Sequence, residues 1–319
     1  MLGENYLSRT NQESVASNFT ILFAGTGGSW PTPGRGLPAV VLRIGSVTNL
    51  LDCGEGTQKQ LMKSNVSFMS IDNIFISHFH GDHFLGILGM VQSMSFNGRT
   101  QDLNIYGPKG AIRILSNAFG AGYYRLGFSI KVTEFLYDQE YEFPGFTVRT
   151  FRNDHPVPAM SFRFQEESTV RIDGEKAREL GVPVRRLEEL RRKGEIEHNG
   201  RTFLLSDISA GIRRGRSVVY TGDTRPLEGM KQFAKDADVL IHDTTTDSSI
   251  EERTNEYGHT TSRQAAAIAK AACVGKLFLF HYSPRYGDYA KLVAEARDVF
   301  PESEPSREML EYEIKVRRD

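Results

Sequence analysis

The stretch ISHFHGDHFLG, residues 76–86, sets three histidines and an aspartate within six positions, directly after a run of β-forming residues. Alternate residues of an extended segment share a face, so His78 and His80 point the same way, and Asp82 and His83 follow at the turn into a helix. Imidazole and carboxylate suit zinc and similar divalent ions, and four such groups cannot all crowd one tetrahedral ion that also needs an open position. The spacing suggests two neighbouring metals. Whatever fold this chain adopts has to bring strand ends together at one place.

The pattern around that stretch supplies many such ends. FTILFAG, AVVLRIG, TNLLDCG, NIFISH, LNIYG, KVTEF, FTVRTF, SFRFQ, SVVYTG, DVLIHD, LFLFHY and YEIKV are short, β-branched or aromatic, and bounded by Gly, Pro, Asn or Asp. Helices are expected over 82–96, 108–119, 174–193 with a break at GVP, 226–236, 261–274 and 288–299, several opening on Ser, Thr, Asp or Pro. Strands come in groups with helices after them in each half of the chain. That order predicts an α/β layering with two sheets inside and helices outside, rather than a regularly alternating doubly wound sheet.

Composition narrows the setting. A chain of 319 residues that is 39% hydrophobic and 25% charged buries a sizeable core, and its formal net charge of -1 announces no nucleic-acid or membrane partner for the molecule as a whole. Any such partner must be met by a local patch. Residues 165–205 are the candidate: between 176 and 216 there are eleven Lys/Arg against six acids, a local net of +5, and the segment carries an Asn199-Gly200 hairpin signal. We expect a protruding arm there, with a solvated helix face as the plain alternative. Cys53 and Cys273 lie in no CxxC spacing and the first residues do not resemble a secretory signal, so a reducing cytoplasm is expected. FLGILGMVQSMSF is too short and too broken by Gly and Ser for a membrane span.

HFHGDH resembles the HxHxDH motif of the metallo-β-lactamase superfamily, whose fold is a four-layer αββα sandwich with a binuclear site at the sheet edges. More closely, the chain is similar to the ribonuclease Z family of endonucleases, which trim the 3′ end of precursor tRNA. FAGTGGSWPTPGRG, LLDCGEGTQ, ISHFHGDH, IYGPKG, NDHPVPAM, VVYTGDTRP, YGHTTS and FLFHYSPRY all stand in the family's order. The resemblance implies one metallo-β-lactamase domain over residues 1–319 with the basic arm, 165–205, inserted in it. It implies two Zn2+ per subunit, with Mn2+ or another divalent ion possible: His78, His80 and His155 on one metal, Asp82, His83 and His281 on the other, and Asp223 bridging both. His198, beside the hairpin turn, is expected to be an ordinary surface residue.

Two ions about 3.5–4 Å apart can grip one phosphodiester, activate a water and neutralise growing charge. In the family a histidine of a GHST motif, helped by a glutamate of an HEAT motif, gives the leaving oxygen its proton. The counterparts here are His259 in GHTTS and, after His242, Asp243 in IHDTTT, one methylene shorter than glutamate. Asp82 would also orient the water, and Arg285 in HYSPRY would grip a phosphate oxygen. The bacterial relatives' Gly- and Pro-rich arm tip is replaced by VRRLEELRRKG, so tRNA contact would fall to Arg185, Arg186, Arg191, Arg192 and Lys193. Precursor tRNA is the implied partner, cut 3′ of the discriminator region to leave a 3′-hydroxyl, by a homodimer whose arm serves the other subunit's site. The rival readings are a small-molecule hydrolase of the same superfamily, such as a thioesterase, lactonase or general phosphodiesterase, and a binding protein on a retired scaffold.

Overall fold

The computed structural model describes residues 18–316. Its first strand, Phe19–Gly25, is buried nearly throughout, and its side chains divide by parity: Phe19, Ile21 and Phe23 enter one apolar layer while Leu22 and Ala24 enter another. Ala39–Ile44 does the same, with Val40 and Leu42 on the first side and Ala39 and Val41 on the second. A strand covered on both faces reads as a continuous apolar run rather than as an alternating one. That is how FTILFAG and AVVLRI read in the sequence.

These strands belong to two seven-stranded sheets. The first runs Glu311–Glu313, Phe19–Gly25, Ala39–Ile44, Val47–Leu51, Asn73–Phe75, Leu103–Gly107, Ile130–Glu134 in spatial order. The second runs Ser303–Pro305, Lys276–Phe280, Val239–Asp243, Ser217–Tyr220, Met160–Glu166, Phe146–Arg152, Glu140–Phe143. Between them lies an aromatic-rich core in which Phe75 meets the rings of Tyr106, Phe135, Phe143, Phe162 and Phe164 at centroid distances of 4.9–6.3 Å. The outer side of the first sheet is covered by helices including Gly86–Phe96 and Ala111–Phe119, through Ile87, Met90, Val91, Met94 and Leu115. The outer side of the second carries Glu228–Phe233, Ser262–Ala271 and Ala290–Val299, through Met230, Ala265, Ala269, Leu292 and Ala296. The result is the expected four-layer αββα sandwich.

Topology places the chemistry. Val47–Leu51, Asn73–Phe75 and Leu103–Gly107 pair in parallel in the first sheet, and Ser217–Tyr220, Val239–Asp243 and Lys276–Phe280 do so in the second. Loops leaving the carboxyl ends of parallel strands form the binding crevice in such sheets. Asp52, His78, Asp223 and His281 each follow one of these strand ends, and Asp243 closes another.

Several elements depart from the sequence reading. The helix expected over 82–96 is two, Gly81–Phe84 and Gly86–Phe96, because the Gly86 amide turns to the Cys53 carbonyl, 3.0 Å away. A Cβ on Gly86 would lie 2.1 Å from the Gly54 carbonyl oxygen, so only glycine admits that approach. The helix over 174–193 is Gly174–Glu179 followed, beyond the GVP break, by Leu187–Lys193. Thr57–Leu61 and Glu251–Glu256 are helical without having been expected, both too short to show a period. The expected hairpin forms as Glu195–His198 against Arg201–Leu204, turning on Asn199 and Gly200 with φ of 53° and 72°. The whole segment has its own small core of Ala177, Val182, Leu190, Ile196, Phe203 and Ile208. Its root is the antiparallel pair Thr169–Ile172 and Ser209–Arg213, so its return strand lies beyond residue 205, while Gln165 and Glu166 still belong to the second sheet.

Candidate metal centre

Three imidazole nitrogens meet where the first sheet faces the loop after Phe146–Arg152. His80 Nδ1 lies 3.1 Å from His78 Nε2 and 3.1 Å from His155 Nε2. The outer nitrogens of two of these rings are committed elsewhere: His155 Nδ1 donates to the Gly258 carbonyl at 2.9 Å, and His78 Nδ1 sits 3.1 Å from Ser77 Oγ. That leaves lone pairs facing inward, the arrangement a metal-binding histidine requires. Burial, as the largest influence, lowers the pKa of all three rings, so they favour the neutral, ligating form.

A second group stands beside the first. His83 Nε2 is 3.7 Å from Asp82 Oδ2 and 3.4 Å from Asp223 Oδ2, and His281 Nε2 is 3.5 Å and 3.3 Å from the same two oxygens. Asp223 Oδ2 also lies 3.6 Å from His78 Nε2, so this carboxylate sits between the two groups. His83 Nε2, His281 Nε2 and Asp223 Oδ1 are buried and have no hydrogen-bond partner among the described residues. Buried polar atoms are seldom left so, because each costs about 1–3 kcal/mol unpaired. A divalent cation would satisfy all three, and the nitrogen and oxygen donors are of the kind that zinc accepts. The donor atoms fall into three mutually close sets: His78, His80, His155 and Asp223; Asp82, His83 and His281; and Asp223, Asp243, His259 and His281.

The electrostatics agree. Burial pushes the His83 ring down, but the carboxylates of Asp223 and Asp52 outweigh it and hold the ring well above its ordinary value. Burial pushes Asp223 up, and the rings of His281, His83, His78 and His259 outweigh that, keeping it well below the usual carboxylate range. The pocket therefore draws positive charge to its middle. Asp82 is fixed by the Ser29 amide, which donates to its Oδ2 at 2.7 Å. Beside Ser29, a Cβ on Gly28 would lie 2.3 Å from the His281 ring, so the GTGGS loop closes directly on the centre.

His259 lies at the rim. Its Nδ1 is 3.0 Å from Asp243 Oδ2 and 3.8 Å from Asp223 Oδ2. The shorter acid at 243 thus reaches the ring. Burial lowers the His259 pKa, but Asp243 and then Asp223 outweigh it and raise it to about 9. His242 stays out of the centre: it is buried and its Nδ1 donates to the Asp243 carbonyl at 2.8 Å. Arg285 is exposed on the loop after His281, with Nε donating to Ser283 Oγ at 3.2 Å and its terminal nitrogens unbonded among the described residues. His198 is half-buried in the arm hairpin, away from any metal-binding group among the described residues.

In the arm, three of the five basic residues are held by acids of the same helix. Arg186 Nε meets Glu189 at 2.9 Å, Arg191 meets Glu188 at 2.9 Å and Lys193 meets Glu189 at 2.8 Å. Arg185 and Arg192 are exposed, with no such pair among the described residues.

Sequence reasoning passed over Asp52. Buried in LLDCGEG with a left-handed φ of 55°, it accepts from Ser77 N at 2.7 Å, Ser77 Oγ at 2.8 Å, His83 Nδ1 at 2.7 Å and Tyr220 Oη at 2.6 Å. It thereby orients His83 directly and His78 through Ser77. A lone acid closing an apolar strand is the signal that marks it.

Comparisons with known proteins come to the same site. The chain is 58% identical over 305 residues to ribonuclease Z of Thermoplasma acidophilum, covering 96% of this chain and 99% of that one. Its fold superposes on that of the human short-form tRNase Z with a TM-score of 0.69 and 27% identity, over 93% of this chain and 100% of that one. The metallo-β-lactamase fold protein YhfI of Bacillus subtilis gives a TM-score of 0.69 at 22% identity, over 93% and 100% of the two chains. A family model described as Anti-Pycsar protein Apyc1 matches residues 19–180. That match takes in His78, His80, Asp82, His83 and His155 and ends before Asp223, Asp243, His259 and His281.

Proposed function

The chain belongs to the ribonuclease Z family, its first half also matching the Apyc1 model, and from this we propose that it is a zinc-dependent endoribonuclease with two ions per subunit, cutting precursor tRNA 3′ of the discriminator region. The observation that carries the metal reading is the convergence of His78, His80, His155, Asp82, His83, His281 and Asp223, with buried nitrogens and an oxygen that have no hydrogen-bond partner among the described residues.

Ions held by His78, His80, His155, Asp82, His83, His281 and Asp223 would supply Lewis-acid chemistry, acidifying a water and offsetting charge on the phosphate. The chain's own residues do the rest. Asp82, pinned by the Ser29 amide, orients the attacking water. His259 gives its proton to the departing 3′ oxygen, which becomes the tRNA 3′-hydroxyl while the phosphate stays on the trailer. Asp243 holds Nδ1 of that ring, so that Nε2 faces the leaving group. Arg285 takes a phosphate oxygen with its free guanidinium fork. The arm formed around residues 165–205, with Arg185, Arg186, Arg191, Arg192 and Lys193, grips the tRNA backbone by charge rather than sequence. In a homodimer the arm of one subunit serves the centre of the other. Cys53 and Cys273, both free thiols, fit a reducing cytoplasm.

Asp223→Ala or His80→Ala should abolish hydrolysis while leaving the fold intact, since both residues lie at the edge of the core. Metal analysis and circular dichroism of the purified variants check this; full activity in a folded Asp223→Ala protein sinks the two-metal reading. The metallo-β-lactamase fold keeps a small-molecule metallohydrolase as the second reading, marked by turnover of small esters with no cleavage of a 3′-extended tRNA.

A further inference from the structure

His281 follows the strand Lys276–Phe280 with a left-handed φ of 65°, and its buried Nε2 faces Asp82 and Asp223. Its other nitrogen, Nδ1, lies 3.0 Å from Thr245 Oγ. The same hydroxyl is 2.6 Å from Asp243 Oδ1. An ionised carboxylate only accepts, so the single hydroxyl proton goes to Asp243, and Thr245 must accept from the Nδ1–H of His281. A proton is thereby held on His281 Nδ1, which leaves Nε2 as the nitrogen that can present a lone pair to a metal. The other oxygen of Asp243, Oδ2, takes His259 Nδ1 at 3.0 Å and the Thr224 amide at 3.3 Å. One carboxylate thus serves two histidines, one directly and one through a hydroxyl.

The backbone of Thr245 is braced between the loops that carry those two histidines. Its amide donates to the Thr260 carbonyl at 3.1 Å, and its carbonyl accepts from the Ser283 amide at 3.0 Å. Neither bond involves the side chain. Removing the hydroxyl therefore leaves the loops tied while freeing the ring of His281.

Resting on the reading of His281 as a metal ligand, we propose that Thr245 is a positioning residue: its hydroxyl sets the tautomer and direction of His281 and links the metal centre to the Asp243–His259 pair. Outer partners of ligating histidines are commonly worth 10–100-fold in metal affinity. Thr245→Val removes the hydroxyl at nearly constant shape, and Thr245→Ser keeps it.

Two measurements test this. In the metal-free protein, 15N spectra of the imidazole rings should show Nδ1–H on His281 in the wild type and in Thr245→Ser, and a mixture of tautomers in Thr245→Val. In a Zn2+ titration against a competing chelator, the binding constant of one of the two ions should weaken by about 10–100-fold in Thr245→Val. Thr245→Ser should restore it. Unchanged ring spectra and unchanged zinc constants in Thr245→Val overturn the proposal, as does equal loss of zinc affinity in both variants, which would mark a packing role. A wild-type protein that binds no zinc defeats the metal reading instead, and the ring spectra still decide the role of Thr245.

Discussion

Two carboxylates face His259 and raise its pKa to about 9, which suits it to the proposed role of general acid. His259→Ala should therefore slow precursor-tRNA cleavage by roughly 10²–10⁴-fold, the usual worth of a general acid, and leave bound metal near normal. An aryl phosphodiester, whose leaving group needs no proton, should lose far less. Single-turnover rates on both substrates with metal analysis check this; loss of metal would make His259 a ligand. At this scale the sequence was informative where candidate ligands crowd together. His78, His80, Asp82 and His83 are neighbours in the chain, so the cluster they form was visible locally. Asp52 and Thr245 each contact a ring contributed by a distant segment, with separations of 31 and 36 residues, and no local pattern announces that.

At the scale of elements, the arm supplies most of the local positive charge, but its helix Leu187–Lys193 spends part of it internally. Exposed pairs of this kind are worth about 0–1 kcal/mol each, enough to hold a side chain in place without fixing the arm. Arg185 and Arg192 are exposed and have no ion-pair partner among the described residues. Replacing these two with Gln should raise KM for precursor tRNA and flatten the salt dependence of binding by about 0.7–0.9 in log–log slope per lost phosphate contact. Hydrolysis of a small phosphodiester should be unaffected; an equal loss on both substrates would assign the arm to the fold instead. The NG hairpin was legible because its turn chemistry is local. The ion pairs were not, since the sequence shows charges three and four apart without showing which of them face a partner. The break at Gly86 was equally hidden, being imposed by the Gly54 carbonyl from a different loop.

Across the whole molecule, the two sheets carry complementary parts of one centre. His78, His80, Asp82 and His83 follow the first sheet's strand Asn73–Phe75, while His155, Asp223 and His281 leave strands of the second. The layering was legible because runs such as FTILFAG and LFLF are apolar on both faces, which only a sandwiched sheet needs. Strand order was not legible, because pairings such as Phe19–Gly25 with Glu311–Glu313 join segments far apart in the chain and leave no periodic trace. If the arm serves the other subunit of a homodimer, mixing an arm-deleted protein with Asp223→Ala should regenerate cleavage that neither has alone, read by gel assay after subunit exchange. No recovery in a demonstrated mixed dimer would confine each arm to its own centre. The most direct test of the central claim is to map the ends produced from a 3′-extended precursor tRNA by the zinc-loaded protein. The account predicts a single cut 3′ of the discriminator region, a 3′-hydroxyl on the tRNA, a 5′-phosphate on the trailer, and complete loss of cutting with a chelator. A 2′,3′-cyclic phosphate at the cut, or cleavage that persists after the metal is stripped, would contradict it.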